Sequence, residues 1–165
     1  FVRPAEFAAN NSAQIDVVVH ALNTLTTDGY KPDAVLLLQP TSPARKPEHI
    51  QRAVELLQDN DSVCTVIPIP KDHCPHYVMK ITDGGFLDYF LPEGANYTRR
   101  QDVPQAYNRD GTIFLTRTSV LLEERSFYGQ KCIPMPIPVE ESLNIDEPTD
   151  WERAEKRFNN FVQNS

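Results

Sequence analysis

The chain has 165 residues, 40% hydrophobic and 24% charged, which is enough apolar material for one core of ordinary size and too little charge for a disordered segment. Its formal net charge of −7 argues against phosphate-backbone binding, because nucleic-acid surfaces are basic. No apolar run reaches membrane-spanning length and no basic-then-apolar leader opens the chain, so the expectation is a single cytoplasmic domain over 1–165 with neither nucleic acid nor membrane as partner.

Three cysteines, Cys64, Cys74 and Cys132, are odd in number and carry no CxxC spacing, which suits a reducing compartment. The chain begins with Phe1 rather than Met, from which a fragment or a processed form is expected.

The first predicted element is a helix. Asn11 or Ser12 is placed to cap it, and Ile15, Val18, Val19, Leu22 and Leu25 follow at helical spacing. Gly29 and Lys31-Pro32-Asp33 end it. Ala34 to Leu38 is a short unbroken apolar run, expected as a strand buried on both faces as in parallel sheets. Gln39-Pro40-Thr41-Ser42-Pro43 must be a loop, since two prolines in five residues forbid helix and central ladder alike.

Pro47 then suits a first helical turn, with Ile50, Val54 and Leu57 as the apolar stripe, and Ser62 to Pro68 reads as the next strand with Cys64 in its core. Strand, loop, helix and strand in this order predict an open α/β sheet.

The pattern changes from about 71 to 107, read as an insertion. Cys74 lies there in a polar loop between His73 and His76, without enough companions for a zinc site. Tyr77 to Thr82 and Phe86 to Phe90 predict a hairpin across Asp83-Gly84-Gly85. Asp110-Gly111 reads as a turn before a strand from Thr112 to Leu115, and Ile133 to Val139, with its prolines, as an edge or extended segment. Thr149-Asp150-Trp151-Glu152 fits a capping box, and Trp151, Ala154, Phe158 and Phe161 predict a packed terminal helix.

Three clusters carry chemistry. The loop Gln39 to Pro43 would hold an amide and two hydroxyls rigidly at the mouth of the sheet, where such folds bind ligands; its plain alternative is a connection. Between Arg99 and Asp110 lie three arginines, Arg99, Arg100 and Arg109, suited to forked bonds with a carboxylate or phosphate, or else a solvated basic loop. Asn144 and Asp146, two apart in an extended stretch, project the same way and could share a hard cation; otherwise Asp146 and Asp150 simply favour the start of the final helix.

In order along the chain, these stretches resemble the acylneuraminate cytidylyltransferase family. Arg3-Pro4-Ala5-Glu6-Phe7-Ala8 with Ile15 to Leu22 resembles its RPxxLA segment. Leu37 to Pro43 matches its LLQPTSP motif without a gap. Arg100 to Gln105 with Tyr107, Gly111 and Ile113-Phe114 is similar to its RQxxPxxY block, and Asn144-Ile145-Asp146 with Asp150 resembles its closing DID segment.

The resemblance implies a three-layer Rossmann-like nucleotidyltransferase sheet with helices on both faces, lacking the N-terminal CTP-binding segment and carrying a small dimerisation insertion. It implies transfer of CMP from CTP to the anomeric hydroxyl of a nonulosonic acid, or a non-catalytic sugar-acid-binding or dimerisation module of the same family. Arg3 and Gln14 would lie beside the nucleotide. Gln39, Thr41, Ser42, Gln101, Phe114, Phe127 and Tyr128 would bind the sugar acid. Arg100, supplied by the partner of a homodimer, would meet its carboxylate. Asp146, with Asn144, would hold a catalytic magnesium ion. Two departures stand out: Asn144 replaces the first carboxylate of DID, and Asn10 stands where the family commonly has Asp.

Overall fold

The computed structural model describes residues 2–9 and 12–163, with side chains as far as Arg157 within the last helix. Helix α1 spans Gln14–Thr27 and is followed by strand β1, Ala34–Leu37. Helix α2, Pro47–Leu57, leads into β2, Ser62–Pro68. Two short strands, β3 (Met79–Ile81) and β4 (Leu87–Tyr89), precede the long β5, Tyr107–Arg117. A π-helical turn at Val120–Glu124, strand β6 at Cys132–Pro136 and helix α3 at Pro148–Gln163 complete the described order.

The main sheet runs β1-β5-β2-β6. Strand β5 lies between β1 and β2 and is antiparallel to both, whereas β2 and β6 are parallel. The open α/β sheet is therefore mixed, with β5 running against its neighbours. β1 and β2 do share a direction, so α2 crosses between them over the intervening β5. β1 is covered on both faces, as expected, and is only half-buried along its length because in the described sheet it is an edge strand, paired on one side alone. The strand also ends at Leu37, one residue early.

Alternation along β1 reveals the layers. Ala34 and Leu36 pack with Ala53 and Leu57 of α2, Val63 of β2 and Ile113 and Leu115 of β5. Val35 and Leu37 face the opposite way, onto Val18 and Leu22 of α1 and onto Leu121. Successive strand side chains point to opposite faces, so α2 covers one face and α1 the other. This is the three-layer arrangement expected.

Local details differ in instructive ways. Among the described residues no side chain caps α1: its first turn opens from Ala13, and Ser12 Oγ instead donates to the Glu6 carbonyl at 3.1 Å. Asn11, like Asn10, lies outside the described residues. In α2 the buried stripe is His49, Ala53 and Leu57, each four residues from the next and so on one face, while Val54, one step round from Ala53, faces solvent. Pro47 is the first helical residue, as read.

The hairpin β3–β4 forms as expected, with Gly85 at φ 80° in its turn. Cys64 is core, but Cys74 is buried too, its thiol 3.4 Å from His76 Nδ1, so its loop is folded inward rather than solvated. At α3 the cap comes from Asp150, whose carboxylate accepts from the Glu147 N–H at 3.0 Å and the Asp146 N–H at 3.2 Å, rather than from Thr149. Trp151 is exposed and donates to Glu155, so it is not core; Ala154 is buried. The side chains of Phe158 and Phe161 fall outside the described set.

The largest correction concerns Asp110-Gly111. These residues form no turn before a strand; they lie inside β5. The register with β2 jumps there, from Cys64 opposite Phe114 to Val66 opposite Arg109. Thr65 replaces the missing ladder: its hydroxyl accepts from the Ile113 N–H at 2.9 Å and lies 3.0 Å from the Asp110 carbonyl. A bulge of this kind bends the strand and re-aims its side chains.

Candidate active site

A cleft of about 170 Å³ opens at the C-terminal end of β1, lined by Gln14, Leu37, Gln39, Arg109, Phe114, Phe127 and Tyr128. Four separate stretches of chain meet there. Gln14 is the first residue of α1. Leu37 ends β1 and is paired in register with Phe114 of β5. Phe127 and Tyr128 follow the π-helical turn, held in place by Thr116 Oγ1 donating to the Phe127 carbonyl at 2.7 Å and by a bond from Ser62 Oγ to the Tyr128 carbonyl. The three rings enclose one side: Phe114 lies 6.0 Å from Phe127 and 6.3 Å, edge-on, from Tyr128.

Behind Gln39 the loop is fastened to the β5 bulge. Arg45 donates from Nε to the Thr112 carbonyl at 2.6 Å and from Nη2 to the Gln39 carbonyl at 2.7 Å. Burial lowers the pKa of Arg45 from its ordinary value, partly opposed by the nearby Asp110 carboxylate. Asp110 is itself buried; it accepts from the Thr112 N–H at 2.8 Å and from Ser142 Oγ. That second bond carries the segment after β6 back to the site.

The segment then runs alongside the loop, with the Ile145 N–H donating to the Thr41 carbonyl at 2.9 Å. Asn144 and Asp146 thereby reach the cleft's edge, joined by a bond from Asn144 Nδ2 to Asp146 Oδ2, both side chains exposed. Gly111 is the common neighbour. A Cβ there would lie 2.6 Å from Gln39 Oε1, 3.0 Å from Ser42 Oγ and 3.5 Å from Asn144 Oδ1.

Of the residues singled out from sequence, Gln14, Gln39, Phe114, Phe127 and Tyr128 thus share one cleft, with Asn144 and Asp146 beside it. Thr41 and Ser42 do not line it. Ser42 is buried behind the wall, its Oγ without a hydrogen-bond partner, because the rigid loop turns it toward Gly111. Arg100 and Gln101 lie in the 71–107 region: Arg100 pairs with Asp72 at 3.1 Å, and the Gln101 carbonyl accepts from Lys71 Nζ at 3.2 Å. Arg3 is exposed ahead of a short 3-10 turn and does not line the cleft either.

Two residues of the site escaped the sequence reading of individual roles. Arg109 was visible as one of three clustered arginines, but the bulge that points it into the cleft is a tertiary feature. Arg45, between two prolines, gave no signal of its own.

For a divalent cation the donor set is Asp146 and the Asn144 amide, both oxygen-bearing and both open to solvent. That fits a hard ion whose remaining ligands are water and substrate oxygens. Among the described residues no group of three or more His, Cys, Asp and Glu side chains converges.

Comparison with known proteins agrees with this architecture. No protein-family model matches the chain. A solved structure of CMP:2-keto-3-deoxy-manno-octonic acid synthetase complexed with CTP aligns with 94% of this chain and 70% of its own, at TM-score 0.55 and 14% identity. The fold is thus that of the Rossmann-like nucleotidyltransferases.

In sequence, the chain is 32% identical over 160 residues to the CMP-N,N'-diacetyllegionaminic acid synthase of Legionella pneumophila, covering 94% of this chain and 67% of that protein. It is 29% identical over 154 residues to the N-acylneuraminate cytidylyltransferase of Escherichia coli, covering 93% of this chain and 35% of the relative. The chain belongs to the acylneuraminate cytidylyltransferase family. It spans about a third of the length of the Escherichia coli relative and two thirds of the Legionella one.

Proposed function

We propose that this chain supplies the sugar-acid side of a cytidylyltransferase site, at which CMP passes from CTP to the anomeric hydroxyl of a nonulosonic acid. The anomeric oxygen attacks the α-phosphorus, the bond to the bridging oxygen breaks, and pyrophosphate leaves. The observation that carries this reading is the meeting of Gln14, Gln39, Phe114, Phe127 and Tyr128 around one cleft, with Asn144 and Asp146 at its edge. An amide among aromatic walls suits a polyhydroxylated ring: the rings cover its apolar face while the amide bonds hydroxyls and sets orientation.

Asp146, with the Asn144 oxygen, would hold magnesium. Such an ion neutralises phosphate charge in the displacement. The chain's own contribution is placement: Arg45 and the bulge fix the Gln39 backbone, and Asp110 with Ser142 brings the Asn144–Asp146 segment to the same mouth. Arg100, supplied across a homodimer, and Arg3, beside the nucleotide, complete the proposed site. A cytoplasmic location accords with CTP as substrate.

Pyrophosphate release, measured with CTP, magnesium and a panel of nonulosonic acids, tests the proposal. It should be measured on this chain and on a form extended with the additional segment of the longer relatives. Turnover in either form, abolished by Asp146→Asn, is the expected outcome; no turnover in both would overturn the assignment.

A further inference from the structure

Arg109 lies in the cleft with no acidic counterpart among the described lining residues. Around it stand two amides, a leucine and three aromatic rings, and no described carboxylate lines the space. Its Nη1 donates to Tyr128 Oη at 2.5 Å, and its guanidinium carbon stands 5.7 Å from the centroid of the Tyr128 ring.

The other arginines are committed differently. Arg52, Arg99, Arg100, Arg125 and Arg153 pair with carboxylates. Arg45, Arg117 and Arg157 donate to backbone carbonyls. Arg3 is exposed outside the cleft. Among the described arginines, Arg109 alone has its charge in the proposed binding space, oriented by a phenol and a ring face that compensate none of it.

A guanidinium keeps its charge at all working pH values and presents a planar fork matched to a carboxylate. One edge is spent on Tyr128, which leaves the remaining N–H donors for an incoming oxyanion. Resting on the sugar-acid reading above, we propose that Arg109, oriented by Tyr128, binds the carboxylate of the nonulosonic acid from within the same chain. The site would then carry its own carboxylate anchor, distinct from any arginine contributed by a partner subunit. Gln39, on the same cleft, would engage hydroxyls of the ring that the anchor positions.

The test is a binding titration of the full chain, followed by calorimetry or ligand-observed NMR. The probes are an N-acylneuraminate and N,N'-diacetyllegionaminate, each as free acid and as carboxyl methyl ester, with CMP as a third arm. Wild type should prefer acid over ester by at least tenfold. Arg109→Ala should erase that preference by weakening the acid and leave CMP binding unchanged. Arg109→Lys should retain part of it, since the charge remains but the fork is lost. Amide NMR spectra of each variant report whether the fold is intact.

Equal binding of acid by wild type and Arg109→Ala would overturn the inference and leave the sugar-acid reading standing. So would a loss confined to CMP, or a loss of acid preference in Arg100→Ala but not in Arg109→Ala. Failure of wild type to bind any acid of the panel would overturn both.

Discussion

Gln39 occupies the space that a side chain on Gly111 would need: its Oε1 lies 2.6 Å from the position of a Cβ there. The contact joins the loop after β1 to the bulge in β5, across 72 residues of chain. Its Gln39 partner is the far end of a flexible side chain, so Gly111→Ala should displace the amide rather than break the fold. The expected result is a small change in melting temperature with at least a tenfold loss of sugar-acid binding. Thermal unfolding and a binding titration on the same variant check it; a large stability loss would mean that Ser42, at 3.0 Å, cannot yield.

Gly129 is required for another reason. Its φ is 62°, in the left-handed region, and a Cβ would approach Asp61 Cβ to 2.5 Å. Asp61 Oδ2 accepts from the N–H groups of Gln130 at 2.9 Å and Lys131 at 2.7 Å, holding the turn before β6. Gly129→Ala should cost about 1–2 kcal/mol from backbone conformation alone, with steric overlap added. Denaturant unfolding should show it as a fall in midpoint without a change in slope.

Glu141 binds two cationic or donor groups of the α2 start, Lys46 Nζ at 2.6 Å and His49 Nε2 at 2.8 Å. The Lys46 N–H points to His49 Nδ1 at 3.3 Å, which leaves Nε2 as the protonated donor. Bonds from Lys46 and then His49 hold the Glu141 carboxyl below its ordinary pKa. A depressed carboxyl stabilises the fold above the unfolded-state pKa, near 4.3, and loses that contribution as pH falls through the lower folded value. The stability gap between wild type and Glu141→Gln should therefore be full at pH 6 and close below about pH 4. Melting temperatures across that range measure it.

The thiol of Cys64 is buried and pushed up to about 12, first by loss of solvation and then by the neighbouring Cys132 thiol. The thiolate is the reactive species. Iodoacetamide at pH 8 should therefore spare Cys64 in the native chain and modify the half-buried Cys132 first. Mass spectrometry of digested, labelled protein would show the order, and all three thiols should react once the chain is unfolded.

Local chemistry made much of this fold legible. Pro47 begins a helix because its missing N–H and fixed φ suit a first turn. Asp83-Gly84-Gly85 turns the hairpin because Gly85 takes a positive φ. The α1 stripe of Val18, Val19 and Leu22 is buried as its spacing requires. Val54 misled because one step around a helix exchanges core for solvent, and apolar character alone does not say which neighbour faces inward. Asp110-Gly111 misled because a turn signature inside a strand becomes a bulge when a side chain, here Thr65, satisfies the displaced backbone.

The candidate site divides along the same line. The family resemblance marked Gln39, Phe114, Phe127, Tyr128 and Asp146, and three of them, Gln39, Phe114 and Asp146, sit in short contiguous motifs. Their convergence, and the entry of Arg109 among them, required β5 to insert between β1 and β2 with its bulge facing the loop. Periodicity and turn chemistry act over a few residues and can be read in one dimension. Strand pairing across 80 residues, and the hydrogen bonds of Arg45 and Thr65 that lock it, are satisfied only when distant backbone groups must find partners in a closed core.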